Sequence, residues 1–128
     1  MAKPLIQGYQ FDLSGRTVLI TGASSGIGKR FAQILSECGA NVVLAARRAS
    51  LLEALQNDIE RKGGQALAVT MDVTDEMPTK AAYDVAEAKF GVVDSIVSNA
   101  DISIPGSSLH MDVDDLDKIV SVNLRGVF

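Results

Sequence analysis

Short apolar runs alternate with helical stretches along most of the sequence, and this order constrains the fold more than any other feature. The apolar runs are TVLIT, NVVLAA, QALAVTMD and DSIVSN, at residues 17–21, 41–46, 65–72 and 94–99. Continuous apolar runs of this length are typical of strands that are covered on both faces. Parallel strands joined by right-handed helical crossovers have this arrangement. The sequence therefore predicts an α/β protein with a parallel sheet.

Helices are predicted between these strands from apolar residues spaced three and four apart. The first runs over about residues 25–38, and its apolar face consists of Ile27, Phe31, Ile34, Leu35 and Cys38. The second opens with Ser50, and Glu53 follows three residues later, which predicts a reciprocal capping box. Each connection is short, as expected within one domain.

The last helix is predicted from Asp112 onward, and its apolar spacing continues to the end of the sequence. Its apolar positions are Leu116, Ile119, Val120, Leu124 and Val127. A helix commonly ends at a glycine that is followed by a polar loop, whereas two apolar residues follow Gly126. We therefore expect the helix to continue past Phe128 with a buried apolar face, and the sequence to be part of a longer chain.

Length, charge and cysteine content limit the classes of function. The 128 residues fit one domain, preceded by a loose leader at residues 1–10. A net charge of −4 argues against nucleic acid and anionic membranes as partners. Cys38 is the only cysteine of the sequence, which excludes an internal disulfide and favours a reducing compartment such as the cytoplasm. His110 has no partners at metal-ligand spacing, so no metal site is expected.

The first strand leads directly into TGASSGIG, residues 21–28, and then into a helix. Glycines at such a place let the backbone approach a phosphate, and the helix N-terminus offers it unpaired N–H groups. This order predicts a site for a nucleotide pyrophosphate; a tight turn without a ligand is the alternative. The spacing G-x-x-x-G-x-G differs from the G-x-G-x-x-G of the commonest dinucleotide fingerprint.

The sequence resembles the short-chain dehydrogenase/reductase (SDR) family in four motifs that occur in the family's order. They are TGASSGIG at 21–28, DVTD at 72–75, SNA at 98–100 and VNLRGVF at 122–128. The resemblance implies that residues 11–128 form the N-terminal part of a Rossmann NAD(P)-binding domain. Its sheet would be doubly wound but incomplete, with strand order 3-2-1-4 counted from residues 17–21 and an open edge at strand four.

The resemblance also implies which residues bind the cofactor. The pyrophosphate and adenosine ribose would contact the glycine loop, at Thr21, Gly22, Ser24, Ser25, Gly26, Ile27 and Gly28. The adenine would contact Asp72 and Val73, which follow the third strand. Asn99 and Ala100, which follow the fourth strand, would lie under the cofactor. Without the resemblance, the alternative role is a helix cap for Asp72 and a turn residue for Asn99.

Two arginines follow the second strand, where NAD and NADP are told apart in dinucleotide-binding folds. A carboxylate there binds the ribose 2′-hydroxyl of NAD, whereas an arginine binds the 2′-phosphate of NADP. The sequence has AARR at 45–48 and no acid before Glu53. Arg47 and Arg48 therefore predict NADP(H) in preference to NAD(H), because guanidinium groups form strong bonds with phosphate. The alternative is two solvated loop arginines.

Asn123 matches the first member of the catalytic set that the resemblance implies, although a purely structural role is its alternative. The other members are a serine and a Tyr-x-x-x-Lys pair. The sequence has two tyrosines, Tyr9 and Tyr83, and they are followed four residues later by Leu13 and Glu87. The resemblance thus implies the cofactor-binding half of an oxidoreductase that transfers hydride between a nicotinamide and a ketone or secondary alcohol, inactive alone. A non-catalytic nucleotide-binding or interaction module is the alternative.

Two further expectations concern Asp101 and the partners. Asp101 stands where the family's motif has glycine, so it adds bulk and negative charge near an anionic cofactor. We therefore expect weakened cofactor binding. The resemblance implies a small carbonyl or alcohol substrate, and a homo-oligomer formed through the last helix.

Overall fold

The computed structural model describes residues 5–6 and 9–128. The predicted leader at residues 1–10 therefore lies partly outside the described residues. Its described part forms two short strands, β1 (Leu5–Ile6) and β2 (Tyr9–Gln10), which pair antiparallel.

Strands and helices alternate over the rest of the chain, as the apolar pattern predicts. The elements are β3 (Thr17–Thr21), α1 (Gly26–Glu37), β4 (Asn41–Ala46), α2 (Ala49–Arg61), β5 (Gln65–Thr70), α3 (Glu76–Phe90), β6 (Ser95–Val97), α4 (Val113–Asn123) and a 3-10 turn (Arg125–Val127). Strands β3 to β6 form a parallel sheet in the order β5-β4-β3-β6. Counted from β3 this is the order 3-2-1-4, which confirms the predicted Rossmann-like α/β fold.

Helices cover both faces of the sheet, because successive side chains of a strand point to opposite sides. On β3, Ile20 packs in one core cluster with residues of α1 and α2, such as Leu52. Its neighbour Leu19 packs in the second cluster with Ala82 and other residues of α3. Burial of a large aliphatic side chain stabilises the fold by roughly 1.5–3 kcal/mol. The two clusters therefore hold the sheet in place, and the loops of the candidate site follow the carboxyl ends of its strands.

Helix α1 buries a different stripe from the predicted one. Its buried residues are the small Gly28, Ala32 and Ser36, whereas Ile27 is 68% exposed and Phe31 is 41% exposed. Small side chains allow the helix axis to lie close to the sheet, and the larger Ile27 and Phe31 remain exposed beside this contact. The predicted apolar face is therefore wrong at Ile27 and Phe31, whereas two other members of it are directed to the core: Leu35 packs against the first core cluster and Cys38 is buried.

The predicted capping box at the start of α2 is also wrong. The helix begins at Ala49, and its N-cap residue Arg48 makes no side-chain cap bond. Because β4 ends at Ala46, the short connection places Ser50 and Glu53 inside the helix rather than at its boundary.

Helix α4 does not continue as one helix to the end of the sequence, so that prediction is wrong. It ends at Asn123, and the chain tightens into the 3-10 turn. Gly126 lies against the side chain of Val73, where a Cβ atom on Gly126 would come within 2.7 Å of Val73 Cγ2. The predicted apolar face is present but not buried within the described chain, since Leu116 is 48% exposed and Leu124 is 61% exposed.

Candidate cofactor site

A cleft lies at the carboxyl ends of the strands, at the point where the strand order reverses. The connection through α1 leads from β3 to β4 on one side, while β6 lies on the other side of β3. A crevice at such a switch point is where open α/β sheets bind ligands. The cleft has a volume of about 360 Å³.

The predicted cofactor residues come together around this cleft. Its lining includes Gly22, Ser24, Ser25, Gly26, Ile27, Arg47, Arg48, Asp72, Val73, Asn99 and Ala100. The two remaining predicted residues, Thr21 and Gly28, are buried next to it. The lining also includes residues that the sequence analysis missed, namely Ala45, Ala46, Met71, Ile102 and Val122. Ala45, Ala46 and Met71 were detectable in principle, because they occupy or directly follow the carboxyl ends of strands.

Two glycines of the glycine loop differ in the space around them, since Gly26 has room for a side chain and Gly28 has none. Gly26 has φ of +56°, which a side chain rarely adopts, and the space where its Cβ would lie is empty to 4 Å. Gly28 is the opposite case, because a Cβ there would collide with the carbonyl oxygen of Gly22 and come within 2.5 Å of Asn99 Nδ2. The loop is therefore open toward the cleft and tightly packed underneath.

Thr21 and Asn99 join the loop after β3 to the loop after β6. Thr21 Oγ1 accepts hydrogen bonds from the backbone N–H groups of Asn99 and Ala100, each at 3.0 Å. Asn99 Nδ2 donates to the carbonyl oxygens of Thr21 at 3.2 Å and of Gly22 at 3.4 Å. These bonds show that Asn99 is more than a local turn residue.

Arg48 extends over the glycine loop. Its Nη2 atom donates to the hydroxyl oxygens of Ser24 and Ser25, each at 3.1 Å. Ser25 is the N-cap residue of α1 but makes no side-chain cap bond to that helix. Arg48 is exposed, and this contact places a guanidinium group and two hydroxyls at the same corner of the cleft.

Asp72 lies near Arg47 at the same end of the cleft. Its Oδ1 atom accepts hydrogen bonds from the backbone N–H of Thr74 at 2.9 Å and from Thr74 Oγ1 at 2.7 Å. These bonds, with a smaller contribution from the charge of Arg47, lower the pKa of the Asp72 carboxyl below its usual value. Asp72 does not cap α3, because the N-cap of that helix is Asp75, which accepts from the N–H of Met77.

Asn123 lies outside the cleft lining and bonds to the loop that follows β6. Its Oδ1 accepts from the N–H of Ile102, and its Nδ2 donates to the carbonyl oxygen of Ile102, both at 2.9 Å. The side chain therefore holds this loop against the end of α4. Its predicted catalytic role stays a prediction.

Two negative findings apply to the described part of the chain. No group of three or more His, Cys, Asp or Glu residues there is arranged to hold a metal ion. No helix there has the length and apolar character to cross a membrane.

The sheet order, the glycine loop at the start of α1 and the cleft at the switch point define a nucleotide-binding protein of the Rossmann class. Within that class, residues 16–128 match the short chain dehydrogenase family, and the chain belongs to that family.

Known relatives are similar over nearly the whole of this chain. An uncharacterized oxidoreductase of Listeria monocytogenes is 39% identical over 116 residues, which are 90% of this chain and 46% of that protein. A short-chain type dehydrogenase/reductase from Mycobacterium marinum superposes with a TM-score of 0.88 at 39% identity, over 92% of this chain and 48% of its own. The chain thus spans about half the length of these relatives.

Two further solved structures contain nicotinamide cofactors. A 3-ketoacyl-(acyl-carrier-protein) reductase from Brucella melitensis, complexed with NADH, has a TM-score of 0.84 and 39% identity, over 91% of this chain and 47% of that one. A metagenomic short-chain oxidoreductase in complex with NADP has a TM-score of 0.82 and 34% identity, over 89% of this chain and 52% of that one. Neighbours of this chain therefore bind both kinds of nicotinamide cofactor.

Proposed function

We propose that this chain is the cofactor-binding part of an NADP(H)-dependent oxidoreductase that interconverts a ketone and a secondary alcohol. The observation that carries the choice of cofactor is the contact of Arg48 with Ser24 and Ser25 at the corner of the cleft. Family membership supports the class of reaction, and the cleft supports nucleotide binding.

The residues of the cleft fit a dinucleotide. Gly26 leaves open space beside the start of α1, and the first-turn N–H groups of that helix are not capped by Ser25. An anionic pyrophosphate is suited to such a place, since it satisfies these groups and interacts with the helix dipole. When bound, the nicotinamide supplies the hydride chemistry, while the protein residues bind and orient the cofactor.

Arg48 and the two serines would bind a 2′-phosphate. The guanidinium supplies charge-assisted donors, and the hydroxyls of Ser24 and Ser25 can rotate to donate to phosphate oxygens. Asp72, a carboxylate at this end of the cleft, already accepts two bonds from Thr74. A hydrogen bond to a charged group contributes about 1.5–3 kcal/mol, which corresponds to roughly a tenfold to hundredfold preference for NADPH over NADH.

Fluorescence titration of the chain with NADPH and with NADH tests this preference. We expect NADPH to bind at least about tenfold more tightly. Arg48→Gln should remove most of the difference by weakening NADPH binding alone. Arg30→Gln is the matched control, since Arg30 is an exposed arginine of α1 outside the cleft lining and should leave both affinities unchanged. Comparable affinities of the unsubstituted chain for NADPH and NADH would show that the assignment is incorrect.

We further propose that the chain is inactive on its own, because its tyrosines Tyr9 and Tyr83 are not followed by lysine in the family's Tyr-x-x-x-Lys pattern. Nucleotide binding without reduction of small ketones is the expected result, and sustained turnover of NADPH contradicts it.

The substrate we propose is a small carbonyl or alcohol. The single cysteine, Cys38, supports a cytoplasmic site of action. The exposed apolar face of α4 supports self-association.

A further inference from the structure

Asp101 lies at one end of the cleft, and the arginines lie at the other. Arg47 and Arg48 follow β4, the glycine loop follows β3, and Asp101 follows β6, all at the carboxyl edge of the sheet. Because β3 lies between β4 and β6, the glycine loop lies between the arginines and Asp101. The cleft therefore has the two arginines, with Asp72 beside Arg47, at one end, the glycine loop in the middle and Asp101 at the other end.

This layout would orient a bound dinucleotide. This orientation rests on the NADP(H) binding proposed above. With the 2′-phosphate at Arg48 and the pyrophosphate at the glycine loop, the adenosine half would occupy the side of β4 and β5. The nicotinamide half would then extend toward β6, where the lining includes Asn99, Ala100, Asp101 and Ile102. Asp101 supplies the carboxylate of this end.

The two redox forms of the cofactor differ in charge on the nicotinamide ring. The oxidised ring carries a positive charge and the reduced ring is neutral, while the phosphates are the same in both. A carboxylate near the ring therefore attracts the oxidised form, and it repels the shared phosphates of both forms alike. From this geometry we infer that Asp101 is a specificity-determining residue that makes the cleft favour the oxidised cofactor over the reduced one.

The ratio of the two dissociation constants isolates this effect from the shared repulsion. Asp101 is exposed, so the interaction with the ring should be of the size of a surface charge pair, about a twofold to fivefold change in the ratio. Salt screens such a pair, so the effect of Asp101 on the ratio should diminish at high ionic strength.

Isothermal titration of the chain with NADP⁺ and with NADPH tests the inference. In Asp101→Asn we expect NADPH to bind more tightly and the ratio of the NADPH to the NADP⁺ dissociation constant to fall by about twofold to fivefold. Asp101→Gly, which also removes the bulk, should shift the ratio in the same direction. Asp117→Asn is the charge-matched control, because Asp117 is an exposed acid of α4 outside the cleft lining and should leave the ratio unchanged.

The outcomes separate this inference from the proposed function. Binding of both forms with the same ratio in the parent chain and in both Asp101 variants overturns the inference and leaves the proposed function standing. A shift of the ratio measured with NAD⁺ and NADH supports the inference even if the preference for the 2′-phosphate fails. The absence of binding by all four nucleotides overturns both.

Discussion

Replacement of Gly28 by alanine tests how tightly the two loops of the cleft are packed. Gly28 is a buried residue in the first turn of α1, and its φ value does not require glycine. Helix propensity alone favours Gly28→Ala, because alanine stabilises a helix by about 1 kcal/mol relative to glycine. The packing opposes it, since the new methyl group would collide with the carbonyl oxygen of Gly22 and with Asn99 Nδ2. The stability of Gly28→Ala therefore shows whether the helix propensity of alanine or the close packing of Gly28 against Gly22 and Asn99 has the larger effect.

The expected magnitude follows from these opposing effects. Overpacking costs about 1–3 kcal/mol, because backbone atoms cannot move aside as the end of a side chain can. Displacement of Asn99 Nδ2 also weakens its bonds to the carbonyl oxygens of Thr21 and Gly22, each worth about 0.5–1.5 kcal/mol. After the gain in helix propensity, we expect a net loss of about 1–5 kcal/mol in the free energy of unfolding.

Urea unfolding followed by far-UV circular dichroism measures this loss, since the sequence contains no tryptophan for a fluorescence signal. Gly106→Ala is the control, because Gly106 has open space around its Cβ position and a φ that an alanine can adopt. It should leave stability unchanged or raise it slightly. If Gly28→Ala is as stable as the parent chain, helix propensity outweighs the contact, and the close packing described for Gly28 and Asn99 is incorrect.

Asn123→Ala removes both hydrogen bonds to the backbone of Ile102 and should destabilise that loop by roughly 1–3 kcal/mol. Amide hydrogen exchange should accelerate at Ile102 but not in β3 to β5, and unchanged exchange at Ile102 would contradict the role assigned to the side chain. Asp94 accepts from the N–H of Thr17 and from Arg16, and these bonds lower the pKa of its carboxyl. Because this pKa is lower in the folded chain, the stabilisation is present above the unfolded pKa of about 3.9 and is lost as the pH falls through the folded pKa. The stability difference between the parent chain and Asp94→Asn should therefore shrink from pH 7 to pH 3, and a difference that is constant with pH would refute this assignment.

Local sequence patterns predicted the strands well and the helix faces unevenly, for a physical reason. A buried parallel strand is apolar throughout. TVLIT and NVVLAA can therefore be recognised as strands from their own residues, without knowledge of the elements that pack on them. A helix face is buried only where another element covers it. Spacing alone therefore placed Ile27 on a core face, whereas the sheet selects the small residues of α1 for close contact. The same limit explains α4, whose apolar residues have the predicted spacing but are exposed in the described chain.

The candidate site shows a second limit, since the sequence reveals which residues meet but not how they are joined. The end of each strand was enough to bring Arg48, Asp72 and Asn99 to one cleft. No local pattern shows that Asn99 bonds to the carbonyl oxygens of Thr21 and Gly22, because that contact joins residues nearly eighty positions apart. This bond gives Gly28 a reason for being glycine that differs from the phosphate-binding reason assigned to the loop as a whole. A glycine in such a motif can be required by the protein beneath it as much as by the ligand above it, and the unfolding experiment on Gly28→Ala, performed without nucleotide, separates the two requirements.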